Sequence, residues 1–409
     1  MDHSKHQKHS LETLLYSAAT TLERGAYYGF RALLVLYMMG ETIKMEASEA
    51  ITVYSILTAS IVLSQIVGAS LGDLLIGNKN SILIGSVLQA LGAFILCIPS
   101  TYGLYGGLFF IVLGNGLFTP NLFANFGKSY LSKTKLLDAG FTILYLAINI
   151  GAFLGVFLIS FIGEELGYSF GFAMAGVFML LSILPIIFTK KIQAPVLQKA
   201  SITRRVINII LAILLVGIFW GIYEMSSTRI YDIQMQLSEV SALGITKSMW
   251  HSLSSFFTIP VCVVVILITS FFYYSQFFKL LIGFVFGVMA LGLILFIPEI
   301  PEESHAIAFL ASLLFLAISE IQIAPIIHAI LTKYSNPKYL AILISLSFAP
   351  TRIFVAGAAM FNEQFYDNYN LGVKIGVIAL TLISLGIVAY LILDKIMTHN
   401  NSSKTINTP

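Results

Sequence analysis

"GFTILYLAINIGAFLGVFLISFI", residues 140–162, carries no charged side chain from end to end. About 20 apolar residues in a helix cross the ~30 Å hydrocarbon core of a bilayer while satisfying every backbone group internally. A strand of a closed barrel would alternate apolar and polar positions instead. This run does not alternate, so it reads as a membrane-spanning helix. Its recurrence along the chain sets the fold class: an all-α membrane protein.

Working outward, the 409 residues are 57% hydrophobic and 11% charged, well outside the usual make-up of a soluble domain. Interruptions by charged or Gly/Pro/Asn clusters leave twelve candidate spans, near 13–40, 48–77, 80–99, 103–131, 137–162, 168–189, 203–230, 248–273, 277–297, 304–333, 338–362 and 371–395. The opening "MDHSKHQKHS" (1–10) is polar and lacks a small-residue cleavage pattern, so it reads as a retained tail. Both termini and the even-numbered connections collect Lys79, Lys128, Lys133, Lys190, Arg204, Arg205, Lys333 and other basic residues, against Lys44, Lys247 and Lys374 opposite. Basic residues favour the cytoplasmic side, which predicts a multi-pass protein of the cell (inner) membrane with both termini cytoplasmic.

The longest basic interior connection, "TKKIQAPVLQKASITRR" (189–205), lies almost at the chain's midpoint. It predicts a tail at 1–12, a six-helix bundle at 13–189, a linker at 190–205, a second six-helix bundle at 206–396 and a tail at 397–409. Two bundles facing a midplane cavity suit a carrier that works by alternating access. Cys97 and Cys262 both fall inside spans and read as packing residues. No metal or cofactor motif is present, and loop topology explains the net charge of +3 without a nucleic-acid partner.

Several charges lie within the spans: Glu23, Arg24 and Arg31 in the first, Glu224 and Arg229 in the seventh, Glu320 in the tenth and Arg352 in the eleventh. Ionisable groups at that depth are costly in lipid and mark substrate or proton pathways. Arg229, near a span end, reads as a structural ion pair or as an end-of-helix residue snorkelling to the interface. Thr20, Glu23, Tyr27 and Arg31 recur at helical spacing and make one polar stripe; Thr142, Tyr145 and Asn149 do so in the fifth span, and Trp220, Glu224 and Ser227 in the seventh. Asp73 reads as a loop and helix-end contact, and His328 as a polar residue satisfied within the bundle.

"TTLERGAYYGFR" (20–31) resembles the first-helix motif ExxERFxYYG of the proton-dependent oligopeptide transporter (POT/PTR) family, a branch of the major facilitator superfamily. "GLFTPNLFANFGKSY" (116–130), "DAGFTILYLAINIGAFLG" (138–155), "FWGIYEMSS" (219–227) and "SEIQIAPIIHAILTK" (319–333) are similar to its fourth-, fifth-, seventh- and tenth-helix segments. "GASLGDLLIGNK" (68–79) resembles the superfamily's loop between helices two and three. The resemblance implies the major facilitator fold, without the extra helix pair that bacterial members often carry between the halves. It also implies roles. Arg31 would attract a peptide's carboxylate, Glu320 would hold its ammonium, and Tyr27, Tyr28, Asn149 and Trp220 would line the site. Glu224 would titrate, pairing with Arg31 when deprotonated, while Glu23 and Arg24 would link proton state to gating.

Three positions depart from the family pattern. Thr20 stands where the motif has its first Glu, Gly25 where it has Phe, and Thr119 where the fourth helix has Lys. Two carrier readings stay open: proton-coupled uptake of di- or tripeptides or peptide-like compounds, and a facilitator, exporter or carrier of a non-peptide substrate with altered or absent proton coupling. An enzyme is not indicated, because the buried polar groups form no nucleophile and base set. The partners implied are a small-molecule substrate, protons and the lipid bilayer.

Overall fold

The structure, a computed structural model, describes residues 8–190, 192, 201–240, 242–245, 247–360, 368 and 370–406. Part of the expected tail (1–7) and most of the expected linker (191 and 193–200) lie outside the described residues. Helices account for all twelve expected spans: α1 (Leu11–Met39), α2 (Ala47–Leu71), α3 (Asn78–Leu96), α4 (Thr101–Ser129), α5 (Leu137–Leu166) and α6 (Tyr168–Leu181), the last continued by a short helix at Ile183–Ile187. There follow α7 (Ile202–Glu239), α8 (Lys247–Phe271), α9 (Gln276–Leu295), α10 (Ala306–Tyr334), α11 (Leu340–Ala359) and α12 (Leu371–Ile406). Among the described residues, ten helical spans are long and apolar enough to cross a membrane, and 257–271 is a shorter apolar one. α1, with charges at 23, 24 and 31, is the exception. No strand occurs among the described residues.

Local chemistry sets several boundaries. Ser100 Oγ accepts from the Gly103 amide at 3.0 Å at the start of α4, and Ser275 Oγ accepts from the Phe278 amide at 3.3 Å at the start of α9, each satisfying a donor that the helix cannot. Pro120, Pro260, Pro325 and Pro350 lie inside helices, which packed membrane helices tolerate.

The chain divides into two compact units, Met1–Leu214 with Ile327–Arg352, and Leu215–Ile326 with Ile353–Pro409. In the first, α1 packs on α5 and α6, while α4 packs on α2 and α3. In the second, α9 packs on α12. Contact between α1 and α5 is backbone to backbone. A Cβ added to Gly25 would come 3.1 Å from the Gly151 carbonyl oxygen, and one added to Gly155 would collide with the Gly25 backbone. Small residues four apart let membrane helices approach in this way. The motif's Phe has no room at position 25.

α2 ends in a π-helical turn, Gly72–Ile76, closed by Gly77 at φ 82°. There Asp73 Oδ2 accepts from the Ile342 amide at 3.0 Å, at the start of α11, so a carboxylate sits at a helix N-terminus where backbone donors and the dipole favour it. Its Oδ1 accepts from the side-chain Nδ2 of Asn78 at 2.9 Å and lies 3.5 Å from Lys128 Nζ. The helix-end contact expected of Asp73 is present.

Candidate functional site

In the first unit, the polar stripe of α1 divides into two groups. Glu23 is fully buried and takes Arg24 through both oxygens, at 2.6 and 2.7 Å. Arg24 Nη2 also donates to Thr119 Oγ1 on α4 at 3.0 Å. Thr119 donates in turn to Asn115 Oδ1 at 3.3 Å, and Gln65 Nε2 of α2 reaches the same oxygen at 3.0 Å. One polar chain thus ties α1, α4 and α2. A buried charge pair holds only when its remaining donors are matched, and Thr119 supplies one such match. Thr20 is satisfied inside its own helix, donating to the Tyr16 carbonyl at 2.8 Å.

Two turns along α1, Arg31 is ringed by tyrosines. Its guanidinium carbon lies 5.3 Å from the Tyr27 ring centre, 5.9 Å from Tyr28 and 5.0 Å from Tyr54 of α2, and Nη2 hydrogen-bonds the Tyr54 hydroxyl. Tyr27 is also within 4.7 Å of Arg24, so one ring faces two cations. Aromatic faces hold a guanidinium in place without neutralising it, which leaves Arg31 cationic and suited to a ligand's carboxylate. Tyr54 was missed in the sequence. It lies in an apolar run of α2 outside every motif, and only the fold brings it to Arg31. Asn149, half-buried on α5, donates to the Tyr145 carbonyl at 2.9 Å.

The second unit carries the acidic residues. Glu320 of α10, half-buried, lines a cavity of about 170 Å³ together with Tyr223 and Ser227 of α7 and Thr258 of α8. Trp220 stacks near Tyr223, with ring centres 5.4 Å apart. Glu224 is exposed, one position from the cavity's Tyr223. A half-buried carboxylate with apolar and hydroxyl-bearing walls suits an ammonium, whose positive charge offsets the carboxylate's desolvation.

Of the two readings of Arg229, the structural ion pair holds and snorkelling does not: it is 3% exposed, pairs with Asp232 at 2.8 Å, and donates to the carbonyls of Ile297 at 3.1 Å, Pro298 at 2.6 Å and Glu299 at 3.4 Å. It fastens the α9–α10 connection. His328 is not held by polar partners: its ring meets Phe123, Phe141 and Phe348 at 4.8, 5.9 and 5.9 Å, and its Nδ1 has no hydrogen-bond partner among the described residues. Its spacing from Glu320 suggested a polar neighbourhood, but aromatic side chains from three other helices fill it.

Comparison with known proteins agrees with the motifs. A family model described as "PTR2: POT family" matches residues 79–216. The uncharacterized transporter YclF of Bacillus subtilis (strain 168) is 29% identical over 237 residues, 54% of this chain and 47% of that protein. A di-/tripeptide transporter of Lactococcus lactis subsp. lactis is 32% identical over 168 residues, 39% of this chain and 34% of that protein. The matched stretches therefore span about a third to a half of those relatives' own length. Among solved structures, a mutant peptide transporter POT in complex with sulfate superimposes with a TM-score of 0.65 at 21% identity, covering 92% of this chain and 94% of that one. A POT family transporter in complex with 5-aminolevulinic acid gives 0.61 at 19% identity, covering 92% and 96%. At such identities the structures speak for the fold, and it is an all-α membrane transporter fold. With motifs on six segments of the chain and matched relatives beside them, this protein is similar to the POT family, most directly over residues 79–216.

Proposed function

We propose that the protein is a secondary active transporter of the cell membrane that takes up di- or tripeptides or peptide-like compounds with protons, by alternating access. The observation that carries this reading is the division of charge. Arg31 offers a guanidinium ringed by tyrosines in one unit, and Glu320 offers a carboxylate at a cavity in the other. A short peptide bears a carboxylate at one end and an ammonium at the other. Tyr27, Tyr28, Asn149 and Trp220 line the site in this reading, Glu224 titrates, and Glu23 with Arg24 links proton state to gating. The bundles are those drawn at 13–189 and 206–396, with the termini cytoplasmic. The curated relatives named as di-/tripeptide transporters support the substrate class.

The test uses the purified chain in liposomes with Glu320→Gln beside wild type. Removing the charged partner of a desolvated ammonium costs roughly 2–5 kcal/mol, so free-amine dipeptides should lose at least about thirtyfold in affinity while amine-blocked analogues change little. Equal binding of free-amine dipeptides by both proteins overturns the orientation. A second reading, a carrier without proton coupling, draws on Thr119, an uncharged group that accepts from Arg24. Counterflow with and without a proton gradient separates the two.

A further inference from the structure

Of the charges that interrupt the spans, Arg352 of α11 has no part in the reading above. Its depth can be measured from Asp73, which lies against Lys128 at the end of α4 and accepts from the Ile342 amide at the start of α11. The two helices therefore run antiparallel from a common level. Counted from there at 1.5 Å per residue, Phe123 and Phe348 lie roughly 8 and 9 Å in, and Thr119 and Arg352 roughly 14 and 15 Å in. Both phenylalanines meet the His328 ring, at 4.8 and 5.9 Å, so the two counts agree. Thr119 and Arg352 share one depth, about a turn beyond the aromatic cage of His328. Arg352 also lies on the inward side of α11. At 100° per residue it is roughly 40° from Phe348, and roughly 100–120° from Ile353 and Leu346, two exposed apolar side chains of the helix. Arg352 is itself exposed, and no carboxylate lies within ion-pair distance of it among the described residues. A guanidinium at such depth is costly in lipid, so an exposed one on the inward side marks a wet surface. Of the in-span cations of the first unit, Arg24 is engaged by Glu23. That leaves Arg31 and Arg352 without a carboxylate among the described residues.

We propose that Arg352 is a second anion-binding group of the carrier and gives it a preference for ligands with two carboxylates, such as dipeptides whose second residue is Glu. The terminal carboxylate meets Arg31, and the side-chain carboxylate meets Arg352. This rests on the reading of Arg31 as the partner of the ligand's terminal carboxylate. Depth supports the division. Arg24 donates to Thr119 and so shares the depth of Arg352. Thr13, at the start of α1, bonds Tyr130 at the end of α4, so α1 leads away from the Asp73 level. Arg31, seven residues after Arg24, is roughly 10 Å further along. A glutamyl side chain and two long guanidinium arms cover such an interval, whereas one carboxylate engages one fork. A carboxylate offers that fork charge and two acceptor oxygens, and a carboxamide of the same shape offers neither.

The test is ligand-dependent thermal stabilisation of the purified full chain at neutral pH. The probes are Ala-Glu and Ala-Gln, which match in shape and differ by one charge, with glutarate and butyrate as non-peptide acids. A charge-assisted contact in a wet site should give wild type about a tenfold preference for Ala-Glu over Ala-Gln. Arg352→Gln should bring that ratio close to one. Arg352→Lys, which keeps the charge without the planar fork, should hold an intermediate ratio and keeps a readout should the neutral variant fail to fold. Arg31→Gln should weaken both dipeptides alike; if it weakens neither, the reading of Arg31 falls and the second anion site falls with it. Equal binding of Ala-Glu and Ala-Gln by wild type, or the wild-type ratio retained in Arg352→Gln, overturns the second anion site and leaves the peptide reading standing. If no dipeptide binds but glutarate outcompetes butyrate and loses that advantage in Arg352→Gln, the anion site stands and the peptide reading falls. If neither dipeptides nor acids bind, the anion site is overturned as well.

Discussion

Arg229 illustrates what a single buried cation does when its acceptors come from elsewhere in the chain. Its guanidinium meets three consecutive carbonyls, those of Ile297, Pro298 and Glu299, and a planar fork of five donors suits such a run better than an ammonium does. Arg229→Ala strands those acceptors, each costing about 1–3 kcal/mol where water cannot replace the donor. We expect a loss on the order of 3 kcal/mol, read as a lower melting temperature, with Arg229→Lys restoring only part of it; an unchanged melting point for Arg229→Ala would show that the loop holds itself. His9 poses a pH question at the same scale. Its Nδ1 lies 2.7 Å from the Tyr130 hydroxyl, which is 2.6 Å from Thr13 Oγ1. Burial, and then the charge of Lys133, hold its pKa below the usual 6.5. The folded chain thus binds a proton at His9 less readily than the unfolded chain, so this contribution to stability is full above pH 6.5 and is lost as pH falls through the lowered folded value. Wild type should lose more melting temperature than His9→Gln on acidification from about pH 7 to about pH 5. Equal losses would remove His9 from the account.

At the scale of helices, the α1–α5 contact connects a motif departure to packing. Apolar run length locates most of the spans, α1 with its three charges and the shorter apolar 257–271 aside, because crossing a bilayer leaves few alternatives to a helix of about 20 residues. Which faces of those helices touch is not written in run length. Gly25 reads in the sequence as a missing Phe, and only the approach of the Gly151 and Gly155 backbones explains it. Tyr54 and Arg229 were hidden for the same reason: each acts on a partner that the chain brings in from another helix or connection. The packing makes a graded prediction. A Cβ at Gly25 meets a carbonyl oxygen at 3.1 Å, which small shifts relieve, whereas a Cβ at Gly155 runs into the α1 backbone. Gly155→Ala should therefore destabilise by at least the ~1–3 kcal/mol typical of overpacking, and Gly25→Ala by clearly less. Melting temperatures of the two variants, matched in chemistry and differing in site, decide it; equal losses would mean that the helices part easily.

For the whole molecule, the motifs pointed to Arg31 and Glu320 because both are charges in otherwise apolar spans, and intramembrane charge is rare enough to stand out. Composition could not show the surroundings of either one, tyrosines at Arg31 and a cavity at Glu320. Nor did run length indicate that Ile327–Arg352, from the second half of the chain, belongs to the same compact unit as α1–α6. Proton coupling is a property of the entire cycle, so it is tested on the cycle. Glu23 is engaged at both oxygens by Arg24, and Arg24 is held further by Thr119. Glu224 is exposed and is the titrating group of the proposed cycle. A carrier whose titrating group is fixed neutral still exchanges substrate for substrate, because exchange needs no net proton movement. It cannot accumulate substrate against its gradient, because nothing then ties substrate flux to the proton gradient. Glu224→Gln should thus keep counterflow in liposomes within about twofold of wild type while gradient-driven accumulation falls to the level of an uncoupled control. Retained accumulation in that variant would move coupling to another group, with the Glu23–Arg24 pair the next to test. Wild type that never accumulates substrate, yet runs counterflow at full rate, would identify a facilitator and give the uncharged Thr20 and Thr119 a functional meaning.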